Sequence, residues 1–117
     1  MKSFEVHGRP IPWQRTRSAG KRRILAPKYR AWREQIAWAA RAAHITEIDG
    51  PVGMRVAVRC ADNRVGDVDN YAKAVMDALE GVAYADDKQI VELRVERAVN
   101  AKDPGLTVEI WEEVGHG

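Results

Sequence analysis

The chain has a single cysteine and no long apolar run, and these two features argue against a disulfide-bonded protein and a membrane-spanning one. Cys60 has no partner for an internal disulfide, so the sequence gives no sign of an oxidising compartment. No stretch approaches the roughly 18 apolar residues of a membrane span, and the first residues lack the apolar core of a signal peptide. Internal repeats and low-complexity tracts are also missing. We therefore expect a cytoplasmic globular protein with no membrane segment.

The size and composition of the chain are those of one small domain. Its 117 residues are 45% hydrophobic and 31% charged, which is ordinary for a globular protein. A domain of this size has a small core, and association into a dimer would help to stabilise it. We predict one domain over residues 1–117.

The net charge of +2 hides a strong asymmetry along the chain. Residues 1–41 hold eleven Lys and Arg against two acidic residues, whereas residues 42–117 hold eight against fifteen. A basic arm of this kind favours a polyanionic partner, and the acidic remainder favours a cation site. The plain alternative is a solvated basic surface, which the acidic cluster described below makes less attractive.

The hydrophobic periodicity predicts an α+β fold. Alternating residues predict strands, three- and four-residue spacing predicts helices, and the last two strands suggest an antiparallel hairpin. Cys60 falls on the apolar face of a strand and is interpreted as a core residue. The result is a small mixed β-sheet of about four strands covered by two helices. The predicted strands are 2–7, 52–60, 91–96 and 106–111, and the predicted helices are 27–43 and 71–80. The predicted core stripe of the first helix is Tyr29, Trp32, Ile36, Ala39 and Ala43.

A long basic loop is predicted over about residues 9–27. Loops of this length in small domains are usually functional, and the charge predicts contact with a nucleic-acid backbone. Trp13 in this loop either stacks on a base or closes the edge of the core. The side chains predicted to bind nucleic acid are Arg9, Arg15, Arg17, Lys21, Arg22, Arg23, Lys28 and Arg30.

The most informative stretch is Asp67-Val68-Asp69-Asn70, which precedes the second helix. Asp69 and Asn70 suit caps of that helix, and Lys73 lies four residues after Asp69 on the same face. A chain that turns back at Gly81 would bring Asp86-Asp87 alongside. Two carboxylates about 4 Å apart repel by about 4 kcal/mol at an effective dielectric of about 20, and a hard cation such as Mg²⁺ removes that conflict. The stretch therefore predicts a metal-dependent catalytic centre.

Other interpretations of the Asp-x-Asp-Asn pattern fit less well. A helix-loop-helix calcium loop needs an acid and a glycine where this chain has Tyr71 and Ala72. A phosphatase with an aspartyl nucleophile needs a buried strand just before the first Asp, and residues 64–66 are a poor one. Purely structural caps would leave Lys73 and the pair Asp86-Asp87 without a role. A DNA-binding module without catalysis, in which the acids only cap helices and pair with arginines, stays open.

The combined pattern resembles the RusA family of Holliday-junction resolvases. The resemblance covers most of the chain, and its motifs taken together are much more specific than any one of them. Gly66 stands where family members often have a basic residue, which suggests a different junction affinity or sequence choice. The segments that carry the resemblance are Gly8-Arg9-Pro10-Ile11-Pro12, Lys28-Tyr29-Arg30-Ala31-Trp32, Asp67-Val68-Asp69-Asn70 with Lys73, Asp77-Ala78-Leu79, and Tyr84 to Val91 with Asp86-Asp87.

The resemblance implies a crossover junction endodeoxyribonuclease, typically encoded by phages or prophages. Such a protein is a two-fold homodimer that nicks four-way DNA junctions symmetrically with Mg²⁺, for which Mn²⁺ can substitute. It implies that Asp67, Asp69 and Asp87 hold the metal, with Asp86 as a weaker candidate. Lys73 would act near the scissile phosphate.

Overall fold

The computed structural model describes residues 1–13, 17–19, 22–24, 26–63 and 68–113, with the backbone alone at 17–19 and 22–24. Within them no helix is both long enough and apolar enough to cross a membrane. The elements are β1 (Lys2–His7), β2 (Arg17–Ala19), β3 (Arg22–Ile24), α1 (Pro27–Ala42), β4 (Val52–Arg59), α2 (Val68–Leu79), a 3₁₀ turn (Asp87–Gln89), β5 (Ile90–Ala98) and β6 (Gly105–Glu112).

The predicted α+β fold with a mixed sheet and two helices is confirmed. The sheet has the order β1-β6-β4-β5, in which β4 and β5 are parallel and the other neighbours are antiparallel. One face of β4 is buried, at Val52, Met54, Val56 and Val58, and joins the buried residues of both helices in one hydrophobic cluster. Cys60 is buried in this cluster, as predicted.

The predicted hairpin between the last two strands is wrong. β6 lies between β1 and β4, so β5 pairs with β4 and does not touch β6 in the sheet. The connection between them crosses the end of β4, where backbone hydrogen bonds join Cys60 to Ala98 and to Ala101, both at 2.8 Å. Because β4, α2 and β5 follow one another as a crossover unit, β5 is parallel to β4. Alternation in sequence shows that a strand exists but not which strand is its neighbour.

The helices agree with their predicted type more closely than with their predicted ends. Helix α1 buries Tyr29, Trp32 and Ile36 as predicted. Ala39 and Ala43 are only partly buried against the core, and Ala40, which was not predicted, is fully buried. Helix α2 begins at Val68, three residues early, so Asp69 and Asn70 are helical residues of the first turn and not caps. A carboxylate in the first turn is favourable because it faces the positive end of the helix dipole. Gly81 ends this region with φ of 85°, the left-handed conformation predicted for it.

The segment predicted as a basic loop contains regular structure. Backbone pairing joins Arg17–Ala19 to Arg22–Ile24 as a short antiparallel ribbon. The segment has too few apolar residues for the alternation that would have revealed these strands. The predicted turn point Gly20 lies outside the described residues.

A glycine sets how closely β1 approaches β6, and this gives a stability prediction. A Cβ at Gly105 would lie 2.3 Å from the carbonyl oxygen of Val6. Since that neighbour is backbone, Gly105→Ala must push the strands apart, and we expect a loss of about 1–3 kcal/mol in urea unfolding. Gly50→Ala is the matched control, because a Cβ there meets nothing within 4 Å. Equal stability of the two variants would contradict the close approach.

Candidate metal and nucleic-acid site

One face of α2 carries a row of charged side chains. Asp69, Lys73 and Asp77 are spaced by four residues, and Glu80 follows three residues later, just beyond the helix. Asp69, Lys73 and Glu80 are exposed, and Asp77 is half-buried. The helical rise of 1.5 Å per residue places Asp69 and Glu80 about 16 Å apart along the axis. The row therefore reaches from the start of α2 to the turn that follows it.

The chain turns back after α2, but it brings Asp86 and Asp87 to the end of that helix, beside Glu80, and not alongside Asp69 at its start as the sequence predicted. The turn is held by a hydrogen bond of 2.7 Å from the Gly81 amide to the Tyr84 carbonyl. Glu80, Asp86 and Asp87 each offer a carboxylate oxygen, and these oxygens lie within 4.8 Å of one another. Among the described residues this is the only group of three or more acidic, histidine or cysteine side chains so arranged.

The predicted metal ligands are only partly brought together. Asp86 and Asp87 lie in the cluster, Asp69 does not, and Asp67 lies outside the described residues. Glu80 was missed by the sequence analysis, since nothing in its local pattern marks it as a ligand. Its position just before Gly81, at the point where the chain turns back, is the signal that could have identified it.

A dense set of hydrogen bonds fixes the segment that carries the acidic pair. The Asp86 carboxylate accepts from the Lys88 amide at 2.9 Å, and the Gln89 side chain accepts from the Asp86 amide at 3.1 Å. These two bonds form a capping box at the 3₁₀ turn. The Gln89 amide group also donates to the carbonyls of Ile48 and Gly50. Asp86 thus has a structural role already, which makes Asp87 the stronger ligand candidate.

A buried tyrosine lies behind the acidic cluster. The Tyr84 hydroxyl donates to the Met76 carbonyl at 2.7 Å, and its side chain is fully buried. Burial, followed by the charges of Asp87, Glu80 and Asp77, raises the pKa of Tyr84 well above its usual range. The phenol therefore stays neutral near pH 7. It supports the cluster but is not a base.

The half-buried carboxylate of Asp77 is held by the other helix. The Tyr29 hydroxyl of α1 donates to Asp77 Oδ2 at 3.2 Å. Burial and the neighbouring Asp77 raise the pKa of Tyr29 to about 12, so this hydroxyl keeps its proton and remains a donor. Asp77 is consequently a link between the helices and is not part of the acidic group.

Lys73 lies against the segment that follows β1. Its Nζ is 3.8 Å from the centroid of the Trp13 ring, a cation–π contact. The Trp13 amide donates to the Asn70 carbonyl at 2.9 Å, which fixes this segment to the first turn of α2. Trp13 also packs against the core, in agreement with the second of its two predicted roles. The ammonium of Lys73 is therefore presented on the exposed face of α2.

The structure places three of the predicted DNA-binding side chains. Arg9 forms an exposed ion pair with Asp62 at 3.6 Å, and Lys28 and Arg30 are exposed in the first turn of α1. The other predicted side chains lie outside the described part of the chain, namely Arg15, Arg17, Lys21, Arg22 and Arg23.

Comparison with known proteins identifies the family. Residues 7–111 match the family described as endodeoxyribonuclease RusA, a range that covers both helices and three of the four strands of the sheet, with β1 almost entirely outside it. The chain is also similar to the uncharacterised protein YqaN of Bacillus subtilis (strain 168), at 31% identity over 135 residues, 93% of this chain and 94% of that protein. The protein belongs to the RusA family of endodeoxyribonucleases.

Proposed function

We propose that this protein is a Mg²⁺-dependent endonuclease of the cytoplasm that nicks four-way DNA junctions symmetrically as a homodimer. Family membership over residues 7–111 carries the proposal. The return of Asp86 and Asp87 to the end of α2 supports it, since with Glu80 they form a group of carboxylates that could hold a cation for metal-assisted hydrolysis of a phosphodiester.

The acidic residues fit a divalent hard cation. Carboxylate oxygens are the ligands that Mg²⁺ prefers, and oxygens on opposite sides of that ion are about 4.2 Å apart. The oxygens of Glu80, Asp86 and Asp87 lie within 4.8 Å of one another. Side-chain rotation that brings neighbouring oxygens to about 3 Å would let them surround one octahedral ion. We propose Asp87, Asp86 and Glu80 as the ligands of one ion. We propose Asp67 and Asp69 as ligands of a second ion, because Asp69 lies about 16 Å along α2 from Glu80 and cannot share the first. When bound, the ion would polarise the phosphoryl oxygens and activate water.

The remaining groups of the proposed site act on the DNA directly. The Lys73 ammonium would stabilise the charge that develops on the scissile phosphate. The basic side chains of residues 9–30 would hold the backbone without reading its sequence. A four-way junction has approximate two-fold symmetry, so a two-fold dimer would offer one site to each of two opposed strands.

A second candidate function is DNA binding without catalysis. Two acids have structural partners, because Asp86 caps the 3₁₀ turn and Asp77 accepts from Tyr29. If the other acids are equally structural, the protein binds branched DNA with a steep salt dependence, needs no Mg²⁺ and releases no products.

One gel experiment distinguishes the two functions. A synthetic four-way junction and a linear duplex of the same sequence are each incubated with the protein, with and without Mg²⁺. We expect paired nicks in opposed strands of the junction only when Mg²⁺ is present. Binding without product at every Mg²⁺ concentration, and equally with Mn²⁺, would favour the DNA-binding module.

The basic arm gives a prediction about affinity. Replacing Arg22 and Arg23 by Ala should weaken binding to all junction sequences alike, because both side chains are proposed to contact phosphates. The slope of log K against log salt should become shallower by about 2 for each protomer, and so by about 4 for the proposed homodimer. Filter binding at several salt concentrations, on two junctions of unrelated sequence, measures both quantities. Altered sequence preference at unchanged affinity would argue against this role.

A further inference from the structure

Among the described residues Trp38 is the only phenylalanine, tyrosine or tryptophan that is exposed, with 72% of its surface open to solvent. It lies on the outer face of α1, away from the buried stripe formed by Tyr29, Trp32 and Ile36. An indole at this position contributes little to the core. Its exposed ring is therefore available to a ligand.

A groove of about 410 Å³ lies beside this indole, between α1 and the end of α2. Its walls are Trp38, Arg33 and Arg41 from α1 and Asp77 and Glu80 from the α2 side, and its small residues Ala37 and Ala78 leave room between the helices. Glu80 belongs to both the groove and the acidic cluster. A ligand in the groove would thus lie next to the proposed metal centre.

The chemistry of the groove favours one class of ligand. Two guanidinium groups face three carboxylates, of Glu34, Asp77 and Glu80, so neither a bare phosphate nor a hydrocarbon chain fits well. A nucleobase is planar and neutral, and its edge carries both acceptors and amino donors. Arginine donates to base acceptors such as N7 and O6, carboxylates accept from exocyclic amino groups, and an aromatic face stacks on the ring.

We infer that this groove takes an unpaired nucleobase of the DNA, stacked on Trp38 and hydrogen-bonded by Arg33, Arg41 and the carboxylates. The inference rests on the proposed function, because only a DNA strand that is cut at the acidic cluster would have a base beside this groove. It adds a contact to a base, which the basic arm does not make, and hence a source of sequence preference near the cleavage point.

The test uses Trp38→Ala and Trp38→Phe, with Val91→Ala as a control that trims another exposed apolar side chain, on β5. The probe is a four-way junction carrying 2-aminopurine at the branch point, studied without divalent metal so that no cutting occurs. We expect wild-type protein to quench the probe through stacking. Trp38→Ala should abolish the quenching and weaken binding about tenfold, whereas Trp38→Phe should retain most of both.

Two results would overturn the inference. One is unchanged quenching and affinity in Trp38→Ala. The other is a fall in molar mass of Trp38→Ala by light scattering, which would make this face a contact between copies of the chain. Failure of the proposed function is a separate result, since it is the absence of Mg²⁺-dependent nicking by the wild-type protein.

Discussion

Asp87→Asn is expected to lower the rate of junction nicking by at least about 100-fold while leaving junction binding within a factor of about two. The side chain keeps its size but loses the charge that a cation needs, and even residues outside the ligand set of a metal cost 10–100-fold when changed. Single-turnover nicking of a four-way junction at saturating protein measures the rate. Gel retardation without metal measures binding.

The control for this variant is Asp103→Asn. Asp103 is an exposed carboxylate in the connection before β6, at the opposite end of the sheet from the acidic cluster. We expect it to nick at the wild-type rate. Full activity of Asp87→Asn would rule out its place in the proposed site.

Two further variants show how far the ligand set extends. Asp69→Asn should be as damaging as Asp87→Asn if ligands come from both segments, whereas Glu80→Gln should cost only about tenfold. A larger loss of rate in Glu80→Gln than in Asp69→Asn would mean that the cluster at the end of α2 holds the ion and that Asp69, at the start of the helix, is not a ligand. Titration of the rate with Mg²⁺ gives the apparent affinity of each variant for the ion.

Lys73→Ala is expected to slow nicking by about 100-fold, since one preorganised charge directed at a developing negative charge is worth about 10²–10³ in rate. Junction affinity should fall by much less, because the basic arm supplies most of the backbone contacts. The Mg²⁺ concentration at half-maximal rate should not change. A variant that loses affinity and rate equally would make Lys73 a binding residue only.

Trp13 offers a matched control for this lysine. Trp13→Leu removes the ring under the ammonium but keeps an apolar side chain against the core. An exposed cation–π contact is worth about 0.5–1 kcal/mol, so a loss of rate of about threefold is expected. Trp13→Phe should retain most of the rate, and urea unfolding separates this effect from simple destabilisation.

The elements of this fold were largely predictable because they follow from local patterns. The large apolar side chains from Val52 to Val58 alternate with glycine, arginine and alanine, and the apolar side chains of α2 recur at helical spacing. Each pattern therefore indicates the type of its element. The start of α2 was not predictable to the residue. Asp69 and Asn70 are equally typical of a cap and of a first turn, and only backbone geometry distinguishes these positions.

The sequence by itself determined the residue types and the order of elements: the acids around α2, the basic first third of the chain and the turn at Gly81. Tertiary structure alone decided which of them meet. It inserted β6 between β1 and β4, placed Glu80 with Asp86 and Asp87, and left Trp38 exposed beside the acidic cluster. The reason is that periodicity specifies which face of an element is buried, whereas its neighbours depend on contacts between residues far apart in the chain.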